Sequence, residues 1–239
     1  MSEESLARAL VRGADPRRVV VVGNTPEDLE SLTSAPPRPP DLQRLQGRPI
    51  VLFTGILIFD RGIVNAVRAI DEVRLEVPNV AFVIVGDGPD APMIRDEIAR
   101  LNLQHHVFLL GWQEHATLPA YYAYASVGLL PFLDRGQIRT TLANKLFDYM
   151  GAALPVIASD VPPMRRILEE SGAGVLVRPN DTSELGSAIV RLLRDDQLME
   201  SMGRRGRSAV VSKYNWTVDR QRFVDAIADV FHPPPARPD

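Results

Sequence analysis

The sequence predicts an α/β fold: a doubly wound parallel sheet of about six strands, followed by two further helices. Three observations carry this reading. Six short apolar runs recur, IVLFTG (50–55), VAFVIVG (80–86), VFLLG (107–111), SVGLLP (126–131), PVIAS (155–159) and GVLV (174–177). Most are continuous rather than alternating, as in strands covered on both faces. Segments of helical periodicity separate them, and glycine or proline stands at most strand ends, where backbone must turn tightly or approach a ligand.

The elements follow in order. Residues 5–12 read as a helix. Arg18 to Val22 reads as a short buried strand, ended by Gly23-Asn24-Thr25-Pro26. APPRPP (35–40) reads as a stiff linker. After the first long strand, Ile63, Val67, Ile70, Val73 and Val77 recur at three- and four-residue spacing and give one apolar helix face. Further helices fit 90–102, 116–125, 143–152, 162–170 and 183–194. The last carries the stripe Leu185, Ile189 and Leu192, with N-cap residues offered by Asp181 to Ser183. Helices at about 196–212 and 216–231 have no strand after them. HPPPARPD (232–239) reads as a disordered tail. Residues 1–47 are thus expected to form a crossover and linker, 48–231 the main domain and 232–239 the tail.

Composition narrows the function. The 239 residues are 45% apolar and 24% charged, with net charge −3 and no cysteine. This suits a globular chain with a real core and argues against broad nucleic-acid binding, disulfides, thiolate metal sites and cysteine nucleophiles. The four histidines do not have the spacing of a metal site, and no P-loop, HExxH or GxSxG motif occurs. No apolar run reaches the roughly 18 residues of a spanning helix, and the first 15 residues hold no apolar block. A cytoplasmic setting is expected.

Open sheets of this kind bind ligands at the carboxyl ends of their strands. The loops Gly55 to Gly62, Gly86 to Pro89, Gly111 to Glu114, Pro131 to Asn144 and Ser159 to Pro163 are therefore the candidate site. TTLANKLFDYMGAALPVIASD (140–160) stands out within it. A helix beginning near Ala143 turns its free N–H groups and its dipole toward an anion. Lys145 and Asp148 share a face just inside. Of 27 Lys plus Arg, only residues 145 and 213 are Lys, so a compact point charge is kept here against a strong preference for Arg. The pair suits a nucleotide diphosphate, with a cation for the phosphates and an acceptor for ribose hydroxyls. It also reads as a surface ion pair one helical turn apart. Gly86 and Gly88 would let amides approach a nucleotide, or simply form a tight turn. Arg61 beside Gly62 points to phosphate or to ordinary surface. Trp112 reads either as a platform for a base or as a core aromatic. Glu114-His115 reads as a substrate contact or, more readily, as solvent-exposed.

Taken in order, TGILIFDRG (54–62), FVIVGDGPD (82–90), VFLLGW (107–112), YYAYASVGLLP (121–131), NKLFDYMGAALPVIASD (144–160), GAGVLVRPND (172–181) and SKYNW (212–216) resemble the carboxyl-terminal, donor-binding half of a group 1 (family 4) glycosyltransferase. That family has the GT-B type, with two Rossmann-like halves. NKLFDYM resembles the version in members that build bacterial surface polysaccharides. The resemblance implies a nucleotide diphosphate sugar as donor and transfer of its sugar to an acceptor, with no metal or other cofactor required. It implies Arg61 and Lys145 on the diphosphate, amides near Ala143 and Asn144 on the distal phosphate, and Asp148 on the ribose. Gly55, Gly86, Gly88, Gly111 and Trp112 would line the nucleotide, with Thr140 and Thr141 at the approach to the helix.

Three positions depart from the family. Thr140 stands where its first motif carboxylate falls, Ile56 stands where an Arg follows the first-loop glycine, and Asp148 shortens the second motif Glu. The resemblance further implies an amino-terminal acceptor domain as partner, missing from this sequence (a fragment or a mis-assigned start) or separately encoded, and peripheral contact with the inner face of a membrane through it. The alternative reading is a catalytically silent nucleotide-sugar-binding or scaffolding subunit. An epimerase or phosphorylase on the same half-fold is a third.

Overall fold

The computed structural model describes residues 2–33 and 36–231. The linker's Ala35 and the tail at 232–239 lie outside them. Six parallel strands form one sheet: β1 (Ile50–Thr54), β2 (Ala81–Val85), β3 (Val107–Gly111), β4 (Val127–Leu130), β5 (Val156–Ser159) and β6 (Gly174–Val177), in the order β3-β2-β1-β4-β5-β6. Each lies within a residue or so of its expected range. The four inner strands are buried throughout, whereas edge strands β3 and β6 are half-buried. The continuous apolar runs therefore reflect cover on both faces.

The chain winds outward from β1 through β2 to β3, then returns to add β4 on the other flank of β1. The order of winding reverses between β1 and β4. That is the switch point at which a doubly wound sheet leaves a crevice beyond its strand ends.

Nine helices surround or follow the sheet among the described residues, besides a short one at Pro40–Gln43 (α2). They are α1 (Glu3–Val11), α3 (Ile63–Glu76), α4 (Ala91–Arg100), α5 (Leu118–Ala123), α6 (Asn144–Gly151), α7 (Pro162–Ser171), α8 (Thr182–Leu193), α9 (Asp196–Ser212) and α10 (Trp216–Phe231). α3 packs against α4 and α8, while α6 packs against α9. Right-handed crossovers place these two groups on opposite faces. The buried stripe of α3 is Ile63, Ala66, Val67, Ala69, Ile70 and Val73. α3 starts at Gly62, which takes φ +65° and sits so close to the end of β4 that a Cβ there would lie 2.0 Å from the Pro131 carbonyl oxygen. No helix among the described residues is long and apolar enough to cross a membrane.

Two expectations change. Arg18 to Val22 is not a strand: its valines are half-buried or exposed, and it pairs with no strand of the sheet. An apolar, β-branched run favours extended backbone, but that preference does not by itself place a segment in the sheet. The Pro-rich linker is not a free spacer either. The Tyr124 hydroxyl donates to the Pro36 carbonyl at 2.7 Å, Arg38 lies 4.4 Å over the Tyr124 ring, and Pro40 opens α2, which buries Leu42.

The segment between is fastened to the carboxyl-terminal helices. Thr25 donates to the buried Asp219 carboxylate at 2.7 Å, Trp216 N–H donates to Pro26 O at 2.9 Å, and Arg207 donates to both Leu29 O and Gly151 O. Residues 24–33 are thereby held beside α6, with Leu32 against Gly151 at its carboxyl end.

Tyr149 of α6 ties that helix to the sheet. Its ring covers Gly128 of β4, and its hydroxyl accepts the Thr54 N–H at 2.9 Å from the last residue of β1. A Cβ at Gly128 would lie 2.4 Å from the Tyr149 ring. Gly128→Ala is therefore expected to destabilise the chain by about 1–3 kcal/mol through overpacking. A urea-unfolding midpoint equal to wild type would refute this account of the α6 contact.

Candidate functional site

Two adjoining clefts open over the strand ends at the switch point. The first, about 460 Å³, runs from the end of β1 to α6 and is lined by Thr54, Gly55, Gly86, Trp112, Lys145 and Asp148, among others. The second, about 740 Å³, lies toward residues 24–32. His115, Leu118, Tyr122, Asn144 and Asp148 line both and form their common wall.

The floor of the first cleft is backbone. Gly55 N–H donates to Val85 O at 2.8 Å, Leu57 N–H to Asp87 O at 2.9 Å, and Gly86 N–H to Gly111 O at 2.7 Å. These bonds carry the sheet ladder past the strand ends into the loops. Gly86 has φ +147°, and a Cβ on it would stand 1.8 Å from Gly55 O. Only glycine permits that approach.

α6 supplies the charge. Ala143 precedes it without a side-chain cap, and no acidic residue occupies its first turn. The Leu146 N–H already donates to Ala143 O, which leaves the Asn144 and Lys145 amides at the open end. Such an end attracts anions. The Lys145 side chain lies back across Gly55, where an added Cβ would come 2.2 Å from its Cε. Burial lowers the Lys145 pKa, Arg61 lowers it further, and Asp148 opposes both. The Arg61 guanidinium lies 4.5 Å over the Phe132 ring, and burial lowers its pKa as well, against the pull of Asp60. Lys145 and Asp148 do not close an ion pair, and neither side chain has a hydrogen-bond partner among the described residues. Burial pushes the Asp148 carboxyl up to about 6, with His115 and Lys145 pulling the other way.

Of the residues singled out from sequence, Gly55, Gly86, Trp112, Asn144, Lys145 and Asp148 line the first cleft. Trp112 is 70% exposed, so it is no core aromatic and presents a free ring. Gly88, Gly111, Ala143 and Arg61, expected at the nucleotide or its diphosphate, line neither cleft. Thr140 and Thr141 line neither cleft. The Thr140 hydroxyl turns back to Gln137 O, and its carbonyl accepts from the hydroxyls of Ser2 and Ser5, which dock α1. Thr141 is exposed.

Sequence reasoning passed over Tyr122 and undervalued His115. Tyr122 sits in an apolar, aromatic run that reads as core. His115 is indeed exposed, but it stands at the mouth of both clefts.

Because the folded chain holds the Asp148 proton more tightly than the unfolded chain, raising pH through about 6 removes stability. Asp148→Asn is expected to be more stable than wild type by up to about 2–3 kcal/mol near pH 8, the gap narrowing as pH falls toward about 4. Urea unfolding at several pH values measures it. A gap that does not change with pH would show that the carboxylate is not desolvated.

A sequence model of the family described as "Glycosyl transferases group 1" matches residues 48–195. An alpha-D-kanosaminyltransferase of Streptomyces kanamyceticus is 29% identical over 171 residues, 72% of this chain and 43% of that protein. A GDP-mannose-dependent alpha-(1-6)-phosphatidylinositol monomannoside mannosyltransferase of Mycobacterium tuberculosis is 27% identical over 184 residues, 76% of this chain and 48% of that one. The chain thus spans under half the length of these two curated relatives. Among solved structures, Anabaena HepE in complex with UDP superposes with a TM-score of 0.83 at 17% identity, covering 95% of this chain and 62% of that one, a likeness of fold.

Proposed function

The chain belongs to the group 1 glycosyltransferases, and from that premise we propose that it forms the donor-binding half of a hexosyltransferase, holding a nucleotide diphosphate sugar in the first cleft. One observation carries the reading: an uncapped helix end and an unpaired lysine face a backbone-floored cleft at the switch point of the sheet. In this reading the diphosphate sits at the start of α6. The Asn144 and Lys145 amides and the Lys145 ammonium meet its oxygens, and Arg61 adds positive field from behind. The base lies along the loops after β2 and β3, with Trp112 free to cover its face. Asp148, ionised above about pH 6, accepts from a ribose hydroxyl.

Transfer breaks the bond between the sugar's anomeric carbon and the diphosphate. Negative charge grows on the departing phosphate, and Lys145, Arg61 and the helix end are placed to stabilise it. The acceptor is held by a further domain, in the same chain or a separate one, and the product is a surface polysaccharide or glycoconjugate. The mycobacterial relative is GDP-mannose-dependent, and HepE was solved with UDP, so both bases enter the test.

A second reading, a nucleotide-sugar-binding subunit without transfer, is favoured by Thr140, which brings no carboxylate to the clefts, and by Ile56, an apolar side chain on the cleft wall. Turnover of a donor in the presence of the acceptor domain separates the two.

Lys145→Ala removes the one lysine of the cleft and is expected to weaken UDP or GDP binding by roughly 10- to 100-fold, the loss of a charge-assisted contact. Isothermal titration calorimetry measures it. Unchanged affinity would remove Lys145, and with it the proposed phosphate subsite, from the account.

A further inference from the structure

α1 buries none of its 9 residues, so apolar packing does not hold it to the fold. A helix that short is marginal on its own. Polar contacts fasten it at two places. Glu4 accepts from the Arg166 guanidinium of α7 at 2.8 and 3.3 Å. Ser2 and Ser5 both donate their hydroxyls to the Thr140 carbonyl, Ser5 at 2.7 Å. Ser2 is also the N-cap of α1: its oxygen accepts the Ser5 N–H at 3.1 Å, and the residue is 1% exposed. Capping and anchoring thus share one hydroxyl.

The carbonyl they hold has a particular place. Only Thr141, Leu142 and Ala143 separate Thr140 from the uncapped start of α6. The loop leaving β4 is first tied down at Leu133, whose N–H donates to Asp60 O at 3.0 Å, and then by the buried side chain of Ile138. Asp134 to Gln137 and Arg139 are exposed. The Thr140 N–H and hydroxyl both turn back to Gln137 O, within the loop itself. Its carbonyl reaches α1 instead, 138 and 135 residues away in sequence. A carbonyl oxygen offers two lone pairs, and the two hydroxyls take both. Ser2 and Ser5 line neither cleft, so what they fix is the path by which the loop enters α6. That path sets where the Asn144 and Lys145 amides stand.

We propose that Ser2 and Ser5 are positioning residues: by clamping the Thr140 carbonyl they hold the approach to α6, and through it the Asn144 and Lys145 amides, in the geometry that meets the distal phosphate of the ligand. This assignment rests on the nucleotide diphosphate sugar reading and adds α1 to that site. Thr140 then serves the site through its backbone, although its side chain brings no carboxylate to the clefts. A loop left free at Thr140 has to be ordered when the phosphate arrives, and that ordering is taken out of the affinity. A loop already clamped by α1 avoids it.

The test is isothermal titration calorimetry with UMP and UDP, and with GMP and GDP as the parallel pair. The proteins are wild type, Ser5→Ala, Ser2→Ala combined with Ser5→Ala, and Ser5→Thr. The readout is the gain in affinity from monophosphate to diphosphate, which isolates the distal phosphate. The combined variant frees the Thr140 carbonyl and is expected to shrink that gain by about fivefold, the scale of one neutral hydrogen bond, with monophosphate affinity unchanged. Ser5→Ala alone shrinks it by less, and Ser5→Thr, which keeps the hydroxyl, restores it. Should the combined variant fail to fold, Ser5→Ala decides, since alanine suits a helix and the Ser2 cap remains. An unchanged gain in the alanine variants, or an equal loss on monophosphate and diphosphate, overturns the positioning role and leaves the nucleotide reading standing. A wild type that binds neither diphosphate better than its monophosphate overturns the phosphate subsite, and this assignment with it.

Discussion

The close approach of bare backbone at the strand ends is the constraint on which the rest depends. The loop after β2 crosses the loop after β1 at Gly86, where a Cβ would overlap Gly55 O. The loop after β1 meets the end of β4 at Gly62 in the same way. Both contacts lie beside the point where the sheet reverses its winding. They exclude side chains from the floor of the crevice, and the ladder bonds that continue through Gly55, Leu57 and Gly86 hold the loops to the sheet. A ligand entering there meets fixed peptide groups, which need little reordering on binding.

Side-chain charge is arranged around this floor without being neutralised. Lys145 lies across Gly55, Arg61 lies over Phe132, and each lowers its affinity for protons by burial. Arg61 also acts unfavourably on Lys145. Two partly desolvated cations in each other's field, beside the positive end of a helix, raise the energy of the empty site. An anion relieves all three effects together. Had Lys145 paired with Asp148 one turn away, the ammonium would be largely screened. The absence of that pair leaves its field directed into the cleft.

The strands were legible because burial on both faces leaves continuous apolar runs, and the helices because one face repeats at helical spacing. Lys145 was legible through residue usage alone, since an Arg-rich chain keeps a lysine there. Other features depend on tertiary placement, which local pattern does not encode. Val19 to Val22 has the composition of a strand but is not one of the strands of the sheet. Thr140 has the sequence position of a motif carboxylate, yet its carbonyl anchors α1 and its hydroxyl closes its own turn. Tyr122 sits among apolar residues, and only the fold reveals that its residue borders two clefts. Sequence periodicity reports which face is buried. It does not report which buried polar atom lacks a partner.

The two carboxylates that line the first cleft serve different ends. Asp87 accepts the Gly88 N–H at 2.8 Å and so stabilises its own turn. Asp148 has no such partner among the described residues and is raised toward neutrality by burial. This cost falls on the folded chain whether or not a ligand is present. A ligand that brings a hydroxyl to Asp148 and a diphosphate to Lys145 and Arg61 would return this cost. The affinity of such a site comes largely from relieving what the fold left unmet. It is therefore greatest for a molecule that presents an anion at the start of α6 and a hydroxyl at Asp148 together, and lower for either group alone.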